Sequence, residues 1–320
     1  MSQGYLLVTG DFALPTAHPS WEIVQLARPS SELQIERAIR DAAFYVLGGP
    51  EYLSRGLLAA APRLEKVVVL GTGTPSFIDL EAAAALGIAV ENVPGVNAEA
   101  VGEFALGMMI AALASAFHAQ ACLLRGEWYQ TPHVSLAHAQ VGVVGMGATA
   151  QALCRRIRAL SALPIRYFSR TRDPRLEAQL ALAYVPLAEL VASCDVVSVH
   201  VDLNPGTRAL IDDRVLAHAH PGLRLLSFSN PQVIDPAALR RALHGDAIAF
   251  AFLDGFYQEW IHNPGRAGDT TGLLELPPGK FVATTHIAAQ ETGAIAALVR
   301  EAYRKLGVHA QRVGSARRSQ

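Results

Sequence analysis

Three short stretches hold residue types at spacings that chemistry can use. The first is "VGVVGMGATAQALCRRI" (141–157), an apolar run, then Gly145-Met146-Gly147-Ala148-Thr149-Ala150, then a helical pattern. Gly145 suits a tight turn, and Gly147 lets the backbone approach a pyrophosphate. Ala150, in place of a third glycine, still allows close helix–strand packing. The helix that opens at Ala148 and Thr149 offers free N–H groups and a positive dipole end to phosphates. Dinucleotide binding is the expectation, because the glycines lie between a strand and a helix. In an NAD site the next strand ends in a carboxylate that accepts from the ribose 2′-OH. Here it ends "YFSRTR", with Ser169, Arg170, Thr171 and Arg172 in that place and Asp173 the nearest acid. Arginine and hydroxyls bind a 2′-phosphate that a carboxylate would repel, so the expected cofactor is NADP(H). The plainer reading of the same residues is a solvated basic loop.

The second stretch, "LLSFSNPQVID" (225–235), is a buried-strand pattern that stops at Ser-Asn-Pro. Ligands of open α/β sheets bind at the carboxyl ends of strands, so Ser229 and Asn230 are placed to touch a substrate, yet neither is charged. The third, "FVATTH" (281–286), ends an apolar strand on His286 in the same kind of position. An imidazole there can hold and transfer a proton near neutral pH.

What must position these residues is a long alternation of strands and helices. "GYLLVTG", "WEIVQLA", "AAFYVLGG", "LEKVVVLGTG" and "IAVENVPG" read as strands, with helical segments such as 51–61 and 77–86 between them. A long helix spans 99–123. A second series follows in "QVGVVGMG", "IRYFSR", "DVVSVHV", "LRLLSFS", "AIAFAFLD" and "KFVATTH", and 290–306 is helical again. This pattern predicts α/β architecture with two doubly wound parallel-sheet domains. The expected division is 1–100 with 290–320 in one domain and 101–289 in the other.

The 320 residues suffice for two cores, and 51% hydrophobic against 17% charged residues excludes a disordered chain. A net charge of −1 argues against a nucleic-acid or anionic-membrane surface. Cys122, Cys154 and Cys194 form neither a metal spacing nor a disulfide framework, which fits a reducing cytosol. The opening "MSQGYLLVTGDF" lacks the features of a signal peptide. Ala105–Leu124 carries no charge and has spanning length, but its Gly, Ser, His and Gln predict a buried helix instead. The tail "GSARRSQ" reads as disordered.

With these residues in view, the chain resembles the D-2-hydroxyacid dehydrogenase family, which includes phosphoglycerate dehydrogenases and glyoxylate/hydroxypyruvate reductases. "GTGTPSFIDLEAAAALGIAVENVPGVNAEAVGEFALGMMI" (71–110) is similar to its substrate loop, with Thr72 and Gly73, and to the crossing between domains. "RGEW" (125–128), "SCDVVSVHVDLNPGTRALI" (193–211, with Val201 and Asp202), "VIDPAALRRAL" (233–243), "FLDGFYQE" (252–259) and "VATTHIAA" (282–289) resemble further blocks. The resemblance implies a flavodoxin-like substrate domain, a Rossmann cofactor domain and a homodimer. It also implies a catalytic set: an arginine that grips the substrate's carboxylate, a histidine that protonates the carbonyl, and a glutamate that holds the histidine. His286 takes the histidine's place, Glu259 the glutamate's, and Asp254 that of an acid near the nicotinamide. Asn230 stands where the arginine is expected, Pro231 where a glycine is, and Trp260 where a proline follows the glutamate.

A Glu259 partner stabilises the imidazolium form of His286 and keeps its proton available. His118, His200, His218 and His220 read as structural, and no His/Asp/Glu spacing suggests a metal. Asn230 offers an NH₂ donor and a carbonyl acceptor without charge. It suits a ketone, amide, hydroxyl or imine better than a 2-oxo acid, unless another cation such as Arg266 replaces the lost one. The Gly- and Pro-rich segment 259–280 reads as a mobile cover over the pocket. Two functions follow: an NADPH-dependent reductase of an atypical carbonyl or imine, or a non-catalytic NADP(H)-binding protein. The pairing of His286 with Glu259 favours the enzyme.

Overall fold

The computed structural model describes residues 4–14, 21–27, 31–257 and 268–318, with side chains up to residue 307. The chain forms two compact units, residues 1–97 with 291–320 and residues 98–290.

The first unit holds a five-stranded sheet of β1 (Tyr5–Thr9), β2 (Ile23–Leu26), β3 (Ala42–Leu47), β4 (Lys66–Val69) and β5 (Ala89–Asn92). Every pairing is parallel, in the order β2-β1-β3-β4-β5, the flavodoxin-like order. β3 is buried at all six residues, as a central strand covered on both faces must be. Successive side chains point to opposite faces. Leu7, Tyr45, Leu47 and Val67 therefore meet Ile35 and Ile39 of α1 (Glu32–Ile39), Leu57 and Leu58 of α2 (Arg55–Ala59), and Ala82 and Ala83 of α3 (Leu80–Ala85). Leu6, Val8, Phe44 and Val68 face Leu298, Val299 and Ala302 of the final helix. That helix runs Thr292–Arg318. Residues 314–318 are thus helical rather than disordered, as the last turn of a helix that begins at Thr292.

The second unit opens with α4 (Ala98–Leu113) and α5 (Ala116–Leu124). Its sheet contains β6 (Val141–Val144), β7 (Ile165–Phe168), β8 (Leu182–Tyr184), β9 (Val196–Val199), β10 (Arg224–Ser227), β11 (Phe250–Asp254) and β12 (Phe281–Thr284). The connecting helices are α6 (Ala148–Leu160), α7 (Pro174–Leu180), α8 (Leu187–Ser193), α9 (Asp213–Leu216) and α10 (Pro236–His244), and the final helix of the first unit is α11. All seven strands are parallel, in the order β12-β11-β10-β9-β6-β7-β8. The order reverses between β6 and β9, which makes that junction the topological switch point. Val144, Val197, Leu225 and Leu253 pack under Leu190, Val191, Leu239 and Leu243 on one face. Val143, Val196, Leu226 and Phe252 pack under Met109, Leu153 and Ile157 on the other. A Cβ at Gly102 would lie 2.8 Å from the Cβ of Ala152, so this glycine sets the approach of α4 to α6.

Three further features depart from the sequence reading. β8 is only three residues long, too short for its alternation to stand out. The helix expected over 99–123 is broken, because Ser115 takes the left-handed conformation at φ 54° and the two pieces meet at 60°. The break lets Phe117 stack on Phe250 with ring centroids 5.6 Å apart, and Arg224 Nε donates to the carbonyl of Ala112 at 2.8 Å. No single helix among the described residues is long and apolar enough to cross a membrane. Finally, residues 268–280 are not a loose cover. Leu273 is fully buried in the core, and the Asp269 carboxylate accepts from the backbone N–H groups of Thr271 (2.7 Å) and Leu274 (2.8 Å).

Candidate active site

Because the sheet of the second unit is parallel, six of its strands deliver their following loops to one edge. These loops carry Gly145–Thr149 after β6, Ser169–Thr171 after β7, Val201 and Asp202 after β9, Ser229 and Asn230 after β10, Asp254 at the end of β11, and His286 after β12. The structure therefore gathers every candidate of this unit that lies within the described residues. Thr72 and Gly73 belong to the first unit. Thr72 accepts from Asn92 Nδ2 through its carbonyl at 2.7 Å, and Gly73 opens the 3₁₀ turn Thr74–Ser76. Glu259, Trp260 and Arg266 lie outside the described residues.

The loop after β6 fits a dinucleotide phosphate. Gly145 has φ +89°, and a Cβ there would come within 2.3 Å of the His200 carbonyl oxygen, so the turn at the switch point admits glycine alone. Gly147 is the N-cap of α6 and supplies no side-chain cap. The first N–H groups of that helix therefore lack a side-chain partner, and Gly147 and Ala148 are exposed with open space where a Gly147 side chain would stand. Ala150 is buried where α6 meets the sheet. Met146 is half-buried, and its carbonyl accepts from Gln151 Nε2 at 3.0 Å.

The loop after β7 sorts its charges. Arg172 donates to both oxygens of Glu177 (3.0 and 2.9 Å) and lies 5.0 Å over the Tyr184 ring, while Tyr167 donates to Glu177 at 2.6 Å. These donors hold the Glu177 carboxyl far below the usual range, at about 2. Asp173 caps α7 by accepting from the N–H groups of Arg175 and Leu176. Both acids near the loop are thus committed, and so is Arg172. Arg170 is exposed and makes no ion pair among the described residues. The sequence grouped Arg172 with Arg170; the structure separates them.

Ser229 Oγ accepts from the N–H of Val201 at 2.8 Å, which ties the loops after β9 and β10 together. Asn230 accepts through Oδ1 from the N–H of Gln232 at 3.0 Å and so caps the 3₁₀ turn Pro231–Val233. One polar end of Asn230 therefore has a structural role that its sequence position did not reveal. Behind these loops His200 is buried, stacks on Phe228 at 5.3 Å and shares a hydrogen bond of 2.8 Å with Ser198 Oγ. Burial pulls its pKa down to about 3, so the imidazole is neutral at neutral pH. This supports the structural role expected for His200.

Asp254 is only 3% exposed, and both its oxygens are occupied. Oδ1 accepts from Thr284 Oγ1 (2.6 Å) and the N–H of Ile287 (2.8 Å), and Oδ2 accepts from the N–H of Ala288 (2.9 Å). These partners straddle His286, an exposed residue held at φ 59°. Left-handed backbone costs a non-glycine residue about 1–2 kcal/mol. Hydrogen bonds to a charged group contribute about 1.5–3 kcal/mol each, enough to offset that strain. Sequence reasoning placed Asp254 beside a nicotinamide and missed its hold on the turn. The pairing of Asp254 with Thr284 across adjacent strands depends on sheet register, which no local pattern reveals.

Comparison with known proteins assigns the family. The profile of the D-isomer specific 2-hydroxyacid dehydrogenase NAD binding domain matches residues 106–288, and that of the catalytic domain matches residues 16–178. The chain belongs to this family. It is 34% identical over 205 residues to a D-3-phosphoglycerate dehydrogenase of Mycobacterium bovis, covering 63% of this chain and 38% of that one. The chain thus spans well under half the length of that relative. It is 32% identical over 241 residues to a glyoxylate reductase of Korarchaeum cryptofilum, covering 73% and 72% of the two chains. The structure of D-lactate dehydrogenase from Aquifex aeolicus, complexed with NAD and lactic acid, shares the fold. It has a TM-score of 0.79 at 19% identity and covers 96% of this chain and 95% of its own.

Proposed function

We propose that this protein is an NADPH-dependent reductase that acts on a carbonyl or imine other than a simple 2-oxo acid. The observation that carries the cofactor preference is the loop after β7, where Arg170 makes no ion pair among the described residues while Arg172, Asp173 and Glu177 are committed to one another or to the backbone. A 2′-phosphate meets there a cation and the hydroxyls of Ser169 and Thr171, while the nearby carboxylates of Asp173 and Glu177 are turned to other partners. The loop after β6 and the N-terminus of α6 hold the pyrophosphate, flanked by Val201, Asp202 and Ser229. When bound, the reduced cofactor supplies the hydride.

This chain's own residues then do the rest. His286 holds a proton at the carboxyl edge of the sheet and gives it to the substrate's oxygen or nitrogen as reduction proceeds. In reverse it takes the proton back. Glu259, by the family resemblance, stabilises the imidazolium. Asn230 orients the substrate without charge. Pyruvate, glyoxylate and hydroxypyruvate therefore lose about 1.5–3 kcal/mol of anchoring relative to a site that holds them by arginine. We further place the protein in the cytosol as a homodimer. The apolar face of Leu123, Leu124 and Trp128, 58%, 78% and 83% exposed, supports the dimer, and sedimentation tests it.

Fluorescence titration with NADPH and NADH at one ionic strength tests the cofactor, and an NADPH-oxidation screen of neutral ketones, imines and 2-oxo acids tests the substrate class. The proposal expects tighter NADPH binding and faster reduction of the neutral compounds. Tighter NADH binding overturns the first part. Efficient reduction of glyoxylate or hydroxypyruvate, ~10⁴ M⁻¹s⁻¹ or more, overturns the second.

A further inference from the structure

We propose that Asp254 is a positioning residue that fixes His286 for proton transfer by gripping the backbone on both sides of it. The inference rests on the proposed role of His286 and adds how that side chain is aimed. β12 ends at Thr284, and the chain must turn sharply to present His286 at the sheet edge. The turn closes with Gln290 N–H donating to the Ile287 carbonyl at 2.9 Å, and its tightest residue is His286 at φ 59°. No glycine is available there to adopt that conformation freely, so something outside the turn must enforce it.

Among the described residues, the carboxylate that accepts from the N–H groups of this turn is Asp254. It lies at the last position of β11, directly opposite Thr284 in the parallel register, and the chain leaves it through Gly255 at φ 107°. Gly255 N–H donates to the Thr284 carbonyl at 3.0 Å, so the two strand ends are tied by backbone as well. From that base the carboxylate reaches past His286 to the N–H groups of Ile287 and Ala288. One side chain therefore fixes the residues two before and one and two after the proton donor. These contacts set the Cα–Cβ direction of His286. An error of about 1 Å in such a direction is enough to cost a large factor in turnover.

The test uses Asp254→Asn, Asp254→Ala and, as a milder change, Thr284→Val. Amide hydrogen exchange in the protein without cofactor is read at Ile287 and Ala288. NADPH affinity is read by titration, and turnover is read with the neutral ketone that the NADPH-oxidation screen finds fastest. The expected result is exchange at least tenfold faster at both amides in Asp254→Ala, turnover at least tenfold lower, and NADPH affinity within threefold of the parent. Asp254→Asn, which keeps one acceptor oxygen, falls between parent and Asp254→Ala, and Thr284→Val loses a few-fold in turnover while remaining folded. Unchanged exchange at Ile287 and Ala288 overturns the proposal. So does weakened NADPH binding with turnover intact, which would make Asp254 a cofactor contact. His286→Ala separates the two levels. If it retains full turnover, the role of His286 fails; if it is inactive while Asp254→Ala turns over normally, only the positioning role fails.

Discussion

At the scale of single residues, the same side-chain type serves opposite ends according to its neighbours. Arg170 and Arg172 are two positions apart, yet Glu177 and Tyr184 hold only the second. Arg170→Ala is expected to weaken NADPH binding by at least tenfold and NADH binding by less than threefold. Titration of both cofactors checks it, and an equal loss for the two would remove Arg170 from the phosphate site. Asn230→Arg should improve 2-oxo acid reduction and cost about 1 kcal/mol of stability, because the cap on Gln232 N–H is lost. His200 gives a pH prediction. Its folded pKa lies below the unfolded value, so the neutral form's contribution is complete above about pH 6.5 and is lost as pH falls toward about 3. His200→Phe should flatten the urea-unfolding stability profile across that window by up to about 1.4 kcal/mol per pH unit. Parallel profiles for parent and variant would contradict the assignment. The places of Gly145, Arg170 and His286 at strand ends were legible because each follows an apolar strand in sequence. Glu177 and Asp254 were not, because their roles depend on partners brought in by helix packing and strand register.

At the scale of elements, the apolar periodicity marked eleven of the twelve strands within the described residues, and the exception, β8, is the shortest. The same reasoning failed at 99–123, where an apolar, proline-free pattern continues through a bend. What ends α4 is tertiary: aromatic stacking of Phe117 and a donor from a distant strand at Ala112. Arg224→Ala removes that donor from the carbonyl of buried Ala112 and should destabilise the second unit by about 1–3 kcal/mol in chemical denaturation. An unchanged midpoint would mean that water satisfies the carbonyl equally well. Gly102→Leu should be more damaging, since its side chain would enter the backbone of α6 at Ala152 and Leu153.

At the scale of the whole molecule, two parallel sheets of different order are made by one chain whose last helix returns to the first sheet. The alternation of strands and helices made that architecture readable from sequence, since parallel strands need helical crossovers. The candidate site was readable only in part: strand ends told which residues gather at one edge of the second unit's sheet, but not which acids and amides hold the loops in place. The central claim is that this fold runs a reduction in which His286 supplies the proton. The most direct measurement is NADPH oxidation by the parent protein and by His286→Ala on the best carbonyl or imine from the screen, with NADPH affinity measured alongside. The account predicts turnover lower by about two to four decades in the variant, with affinity within threefold of the parent. Full turnover by His286→Ala would contradict it, as would a parent protein that binds NADPH yet reduces nothing in the screen.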